Sequence, residues 1–252
     1  MPKKKKLQLA GLFIYVISAV IFVYIVKPPY LANLFIVYLP PSLINYYWVQ
    51  KSRSKILWFS IITVILFAPP IELVARLADA WDVQSILPRL FGTAPIENLI
   101  YAFFNFFWPL CFYEYFVDKD KSIKISKKFK ILVALYIALS IIVYTGFALH
   151  RELFAINYWL IGIGILLPAI LILFFNPNLI PKIVLPTVFF GLIFFIHEMI
   201  SLKLGHWWWP GDYLLPIELF GNIFPVDDAL VWYLFSTPAL IGGYEFFVDD
   251  NK

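Results

Sequence analysis

Five carboxyl groups and one imidazole stand in or at the edge of long apolar stretches of this chain, and their placement repeats. Glu72 and Glu198 lie 126 residues apart, each toward the end of such a stretch. Glu97 and the pair Asp227 and Asp228 each open the next stretch directly after a proline, in Pro95-Ile96-Glu97-Asn98 and Pro225-Val226-Asp227-Asp228. His197 precedes Glu198. Carboxyls crowded together in a low dielectric cannot all ionise, so some stay protonated, and a protonated carboxyl in an apolar cleft is a proton donor. Adjacent Asp227 and Asp228 would divide the work, one as acid and the other as conjugate base. A plainer reading competes for Glu97 and Asp227. Proline at the first helical position followed by acids is how a helix N-terminus is ordinarily built.

The surrounding chain fixes the elements that must position these groups. Of 252 residues, 62% are hydrophobic and 14% charged, and the mean hydropathy is +0.83, which belongs to the bilayer. Stretches long enough to cross the hydrocarbon fall near 7–26, 30–49, 56–78, 95–117, 130–149, 153–175, 181–203 and 225–247. They are continuous rather than alternating, which excludes a barrel and predicts an all-α integral membrane protein of about eight transmembrane helices. With the N-terminus inside, Lys3 to Lys6, Lys51, Arg53, Lys55, Lys119, Lys121, Lys124, Lys127, Lys128, Lys130, Lys182 and Lys252 are cytoplasmic, 15 of the 20 basic residues. That bias predicts both termini on the cytoplasmic side of the cell membrane. The net charge of +4 is accounted for by lipid headgroups as partners and calls for no nucleic acid. The first stretch lacks a small-residue cleavage site and is expected to be retained.

The chain also reads as a duplication. Leu87-Pro88-Arg89-Leu90-Phe91-Gly92 matches Leu215-Pro216-Ile217-Glu218-Leu219-Phe220-Gly221, and Tyr113-Glu114-Tyr115-Phe116-Val117-Asp118 matches Tyr244-Glu245-Phe246-Phe247-Val248-Asp249. The charged stretch 118–130 is the seam, dividing a first membrane repeat, 1–120, from a second, 121–252. Four crossings each would make the repeats parallel, related by an axis along the membrane normal. The loops 79–94 and 204–224 then lie outside. Trp207, Trp208 and Trp209 with Tyr213 suit either an aromatic belt at the headgroups or the lining of a ligand cleft. Glu114 and Glu245, among Tyr and Phe, are expected at the opposite interface. Cys111, the single cysteine, reads as packing. Neither HExxH nor CxxC spacing nor a phosphate or dinucleotide loop is present, so no metal and no cofactor are expected.

A tandem membrane unit with an acid near the end of one helix, a loop, and then Pro-Ile/Val followed by acids opening an aromatic-rich helix resembles the lycopene cyclase domain family. The matching stretches are 67–115 and 190–247. The resemblance implies acid-initiated cyclisation of a lipid-soluble polyene without net redox change, an intramolecular cyclase reaction of carotenoid biosynthesis in the isomerase or lyase class. A protonated carboxyl would give its proton to a terminal double bond, the cation would close a ring, and a base would remove a proton. Glu97, Asp227, Asp228, Glu72, Glu198 and His197 are the candidate acids and bases, and aromatic faces such as Trp81, Trp208, Trp209 and Tyr213 can stabilise the cation. The first copy departs from the motif, with Asn98 where the family pattern places a second acid. Carotenoid hydration therefore stays open beside cyclisation. So does a non-catalytic membrane protein that binds a lipid or partner or moves a small solute, and a homo-oligomer is open in either case.

Overall fold

A computed structural model describes residues 1–119, 124–149, 167, 170–211, 213, 215–226 and 230–249. The chain is mostly helical. In order it forms α1 (Lys3–Val26), α2 (Tyr30–Trp48), α3 (Arg53–Leu77), β1 (Asp82–Val83), β2 (Arg89–Leu90), β3 (Ala94–Pro95) and α4 (Ile96–Tyr113), which runs on as a π turn over Glu114–Asp118. Then come α5 (Phe129–Leu149), α6 (Ile180–Lys203), β4 (Trp207–Trp208), β5 (Pro216–Leu219), β6 (Asn222–Pro225), a π segment (Leu230–Phe235) and α7 (Ser236–Phe247). Most of the sixth expected stretch lies outside the described residues.

Four helices among the described residues are long and apolar enough to cross a membrane: α1, α3, α5, and α6 with the short turn that precedes it. This is fewer than the eight stretches read from hydropathy, for visible reasons. Helix α2 carries Pro40 and Pro41 in its interior and buries Asn33, Ser42 and Asn45. The stretch near 225–247 splits into the π segment and the twelve-residue α7. Prolines within such helices release backbone carbonyls that neighbouring groups must satisfy, as Asn45 Nδ2 does by donating to the Pro41 carbonyl at 2.9 Å. Helix α5 buries little beyond Leu132 and Val143 and turns Leu135, Ile141, Ile142 and Leu149 outward. An apolar face of that extent suits lipid rather than water. The chain is thus a membrane protein.

Helix α4 is central, packed against α2, α3, α6 and α7. Its aromatic side chains interdigitate with those of α6. Trp108 meets Phe190 edge-on at 5.0 Å between ring centroids, and Phe112 stacks on Phe189 at 4.6 Å. Aromatic pairs in these geometries contribute about 0.5–1.5 kcal/mol beyond their burial. Two antiparallel hairpins precede the last helices of each half. In β2–β3 the turn is Phe91-Gly92 at φ 53° and 73°, and in β5–β6 it is Phe220-Gly221 at φ 52° and 74°. Both are turns with two left-handed residues, matching strand twist. A non-glycine residue there costs about 1–2 kcal/mol, and each hairpin accepts that cost at a phenylalanine.

Glu114 is fully buried, and both glutamates belong to a crossed polar clasp between the two halves of the chain. Tyr244 donates its hydroxyl to Glu114 at 2.5 Å, and Tyr113 donates to Glu245. Lys55 sits 2.7 Å from Asp249 and 3.5 Å from Glu114, while Lys182 sits 2.8 Å from Asp118 and 3.9 Å from Glu245. Each lysine thus meets the glutamate from its own half and the aspartate from the other. Asp118, Glu245 and Asp249 bring carboxylate oxygens within 4.8 Å of one another, and the two ammonium groups supply the counter-charge that such a cluster demands. Removing one partner of a buried ion pair leaves the other uncompensated and costs about 3–5 kcal/mol. Lys55→Met is therefore expected to lower the unfolding free energy by about that amount in mild detergent, whereas an exposed Lys127→Met leaves it within about 0.5 kcal/mol. Equilibrium unfolding of the two variants checks this.

Candidate functional site

The loops that follow α3 and α6 meet as a short antiparallel ribbon. Asp82 pairs with Trp208 and Val83 with Trp207, and Gln84 N–H donates to the His206 carbonyl at 2.8 Å. Side chains alternate along a strand, so Trp207 turns inward while Trp208 is left 45% exposed. The second loop approaches the first closely enough that a side chain at Gly211 would lie 2.8 Å from the Asp79 carbonyl oxygen, which leaves room for glycine alone.

Beneath this ribbon lies an apolar cavity of about 160 Å³ between α3, α4, α6 and the π segment. Phe67, Phe106, Phe194 and Tyr101 form much of its wall, and two carboxyls, Glu72 and Glu198, enter it. Each carboxyl is held by an indole from nine residues further along its own half. Trp81 Nε1 donates to Glu72 at 3.3 Å, and Trp207 Nε1 donates to Glu198 at 2.6 Å, with Trp209 Nε1 adding a second bond at 3.2 Å. Glu72 receives a further pair of bonds from Asn98 Nδ2 at 3.1 and 3.2 Å, and Asn98 is itself fixed by the Tyr30 hydroxyl at 3.1 Å. Among the described residues no lysine or arginine nitrogen comes within 4.0 Å of either carboxyl. Indole and amide N–H groups can only donate here, so they can steady a carboxylate without supplying a compensating charge.

Of the residues singled out from sequence, Glu72, Glu198, Trp81 and Trp209 share this cavity. Others do not. Glu97 turns away into the preceding loop, where it accepts Ile86 N–H at 2.7 Å, Leu87 N–H at 2.8 Å and the Ser85 hydroxyl at 2.6 Å. Its role as a proton donor in a shared cleft is corrected accordingly, since three donors pin both of its oxygens to the chain that leads into α4. His197, one residue from Glu198, is turned about 100° from it around the helix and does not line the cavity, sitting behind the Tyr101 and Trp207 rings that do. It is fully buried against Tyr38, Tyr101 and Trp207, with Nε2 3.4 Å from Ser201 Oγ and no hydrogen-bond partner at Nδ1 among the described residues. Trp208 is exposed, and Tyr213 packs behind Trp209 at 5.9 Å, so neither lines the cavity. Asp227 and Asp228 lie outside the described residues.

Sequence reasoning missed the Asn98–Tyr30 pair as site residues and did not separate Trp207 from the tryptophans beside it. The fixed nine-residue spacing from Glu to Trp in both halves was the available signal. One further group, Asn105, lines the cavity with its Oδ1 buried and without a hydrogen-bond partner.

At the outer rim a polar chain ties the tryptophan loop to α2. The Pro28 carbonyl can only accept, so His206 Nε2 carries the proton it donates there at 3.0 Å, leaving Nδ1 to accept from Asn33 Nδ2 at 3.0 Å. Asn33 Nδ2 also reaches Ser201 Oγ at 3.2 Å. Beside the cavity, Arg89 and Arg76 both bond Asp82. Burial raises the Asp82 carboxyl, but these two guanidinium groups and the Val83 N–H outweigh it and hold the carboxyl below its ordinary range.

Comparison with known proteins leaves this geometry to speak for itself: no protein-family model, curated protein or solved structure matches the chain.

Burial lowers the His206 pKa below its ordinary value of 6.5, with the Pro28 carbonyl opposing in part. A histidine depressed in the folded state takes up its proton on unfolding, so folding stability falls as pH drops through 6.5 toward the folded value. Thermal melts from pH 8 to pH 5 are expected to show a decline below about pH 6.5 that His206→Gln makes shallower, because glutamine does not titrate.

Proposed function

We propose that this protein binds an apolar polyene from the bilayer and uses Glu72 and Glu198 for acid–base chemistry upon it. The observation that carries the reading is that two carboxyls, neither with a lysine or arginine nitrogen within 4.0 Å among the described residues, share one aromatic-walled cavity within a membrane protein. A carboxyl in its acid form gives its proton to a carbon–carbon double bond, leaving a carboxylate and a carbocation. A second double bond of the same chain attacks the cation and closes a ring. Loss of a proton from the adjacent carbon to a carboxylate then restores the double bond. The product is an isomer of the substrate, with no oxidant or reductant consumed. Tyr101, Trp81 and Trp207 present π faces or edges around the space where the cation would form.

The reading extends to architecture. We propose two parallel four-helix repeats with both termini on the cytoplasmic side, supported by the sequence duplication, the basic bias of one set of loops, and paired features that recur in each half. Those features are the nine-residue Glu-to-Trp link, the phenylalanine-glycine hairpin and the crossed Tyr–Glu clasp.

A second outcome draws on Asn105. Its buried, unpartnered Oδ1 is an acceptor suited to a water, which would capture the same cation as an alcohol in place of ring closure.

Expression in a host that accumulates a linear polyene, with extraction and chromatography of the pigments, tests the function. A new cyclic product, or one heavier by a water, is expected, and Glu72→Gln or Glu198→Gln is expected to reduce it at least about a hundredfold, the scale typical of a lost general acid or base. Unchanged pigment, with the protein folded in the membrane fraction, overturns the reading. Asn105→Ala separates the two outcomes, since it abolishes only the hydrated product.

A further inference from the structure

We propose that the tips of the two β-hairpins are lipid anchors, with Phe91 and Phe220 inserted among the acyl chains of the leaflet that borders the cavity's loops. The proposal concerns a surface remote from the acid–base chemistry and stands without it.

Four observations carry it. Turns with two left-handed residues favour Asn-Gly or Asp-Gly, yet both hairpins place phenylalanine at the first position, at φ 53° and 52°. Both rings then point away from the protein, 72% and 74% exposed. A strained backbone that presents a large apolar group outward, twice, is unrewarded in water and rewarded in hydrocarbon.

The apolar character extends back from each tip, through Ile86 and Leu90 in the first hairpin and Ile217 and Ile223 in the second, all exposed. The first tip also leans on an outward-facing helix, where Phe91 meets the Tyr144 ring of α5 edge-on at 5.7 Å. The neighbouring Ile141 and Ile142 of that helix face outward where lipid must lie.

Basic groups sit behind the tips, where headgroup phosphates would be. Arg89 opens β2, and the Lys203 ammonium lies 3.8 Å from where a Gly221 side chain would begin. An apolar tip with a cationic base is the arrangement by which peptide segments seat themselves in a leaflet. The occupant is therefore lipid rather than a second copy of the chain or a soluble partner.

Spin labels report depth directly. In a Cys111→Ala background, which removes the single buried thiol, Phe91→Cys and Phe220→Cys are labelled in the full chain and reconstituted into phosphatidylcholine–phosphatidylglycerol vesicles. Ile142→Cys on the outward face of α5 marks hydrocarbon, and Lys127→Cys marks water. Both tip labels are expected to collide with oxygen in preference to a water-soluble nickel chelate, as the label at 142 does. Nickel collision equal to that at 127 overturns the proposal. So does spin–spin broadening that disappears on dilution with unlabelled protein, which would show the tips covered by another copy. A second measurement guards against a label that disturbs the hairpin. The double variant Phe91→Asn, Phe220→Asn creates the turn sequence the backbone prefers, and it is expected to lower the Tm in vesicles relative to that in detergent. An equal or higher Tm in vesicles overturns the anchoring role.

Discussion

A carboxyl group surrounded by apolar side chains must be given hydrogen-bond donors or a counter-charge, because neither water nor mobile ions can reach it. Much of the long-range architecture here answers that demand. Glu114 draws in Tyr244 and Lys55, Asp118 draws in Lys182, and Glu245 draws in Tyr113. Each of these bonds joins segments far apart in sequence, so satisfying a buried charge and docking the two ends of the chain are the same event. Apolar packing between α4 and α6 supplies the bulk attraction, while the polar clasp dictates which face meets which.

The kind of donor separates the two polar layers of the protein. At the clasp the carboxylates meet ammonium groups, which hold them in a fixed geometry and supply counter-charge. Around the cavity the carboxyls meet indole and amide N–H groups, which stabilise an anion when it forms but do not neutralise it. That contrast is the physical ground for placing proposed chemistry at Glu72 and Glu198 and structure at Glu114, Asp118, Glu245 and Asp249.

Much of this was legible in the residues themselves. Composition and the continuity of the apolar stretches give a helical membrane protein, and the duplicated strings flag the acids that later share a cavity. The rest depended on directions that one-dimensional spacing does not carry. Glu97 follows a proline as expected, yet the three donors at residues 85–87 decide where its carboxyl points. Trp207 and Trp208 are equivalent in composition, and only the register of a two-residue strand sends one inward and the other out. His197 and Glu198 are neighbours in sequence, yet only Glu198 reaches the cavity. Tyr113–Glu114 and Tyr244–Glu245 read as matching motifs, and spacing alone does not show that their bonds run crosswise between the copies.

The crossed contacts also constrain how the proposed repeats would meet. When two equivalent units associate about a twofold axis, residue i of one meets the counterpart of residue j in the other, and a residue on the axis meets its own counterpart. The shift of 126 that relates Glu72 to Glu198 carries Asp82 onto Trp208, and these two are paired in the ribbon. The axis of such a pair would therefore pass through the ribbon that roofs the cavity, putting Glu72 and Glu198 on either side of it. Equivalent positions need not carry equivalent chemistry. Glu72 is bound by the Asn98 amide and one indole, and Glu198 is bound by two indoles. Because Asn98 Oδ1 accepts from Tyr30, its amide is oriented to donate, and Glu72 is held as an acceptor. A near-symmetric frame with unequal donors is what would let one carboxyl release a proton while the other receives one.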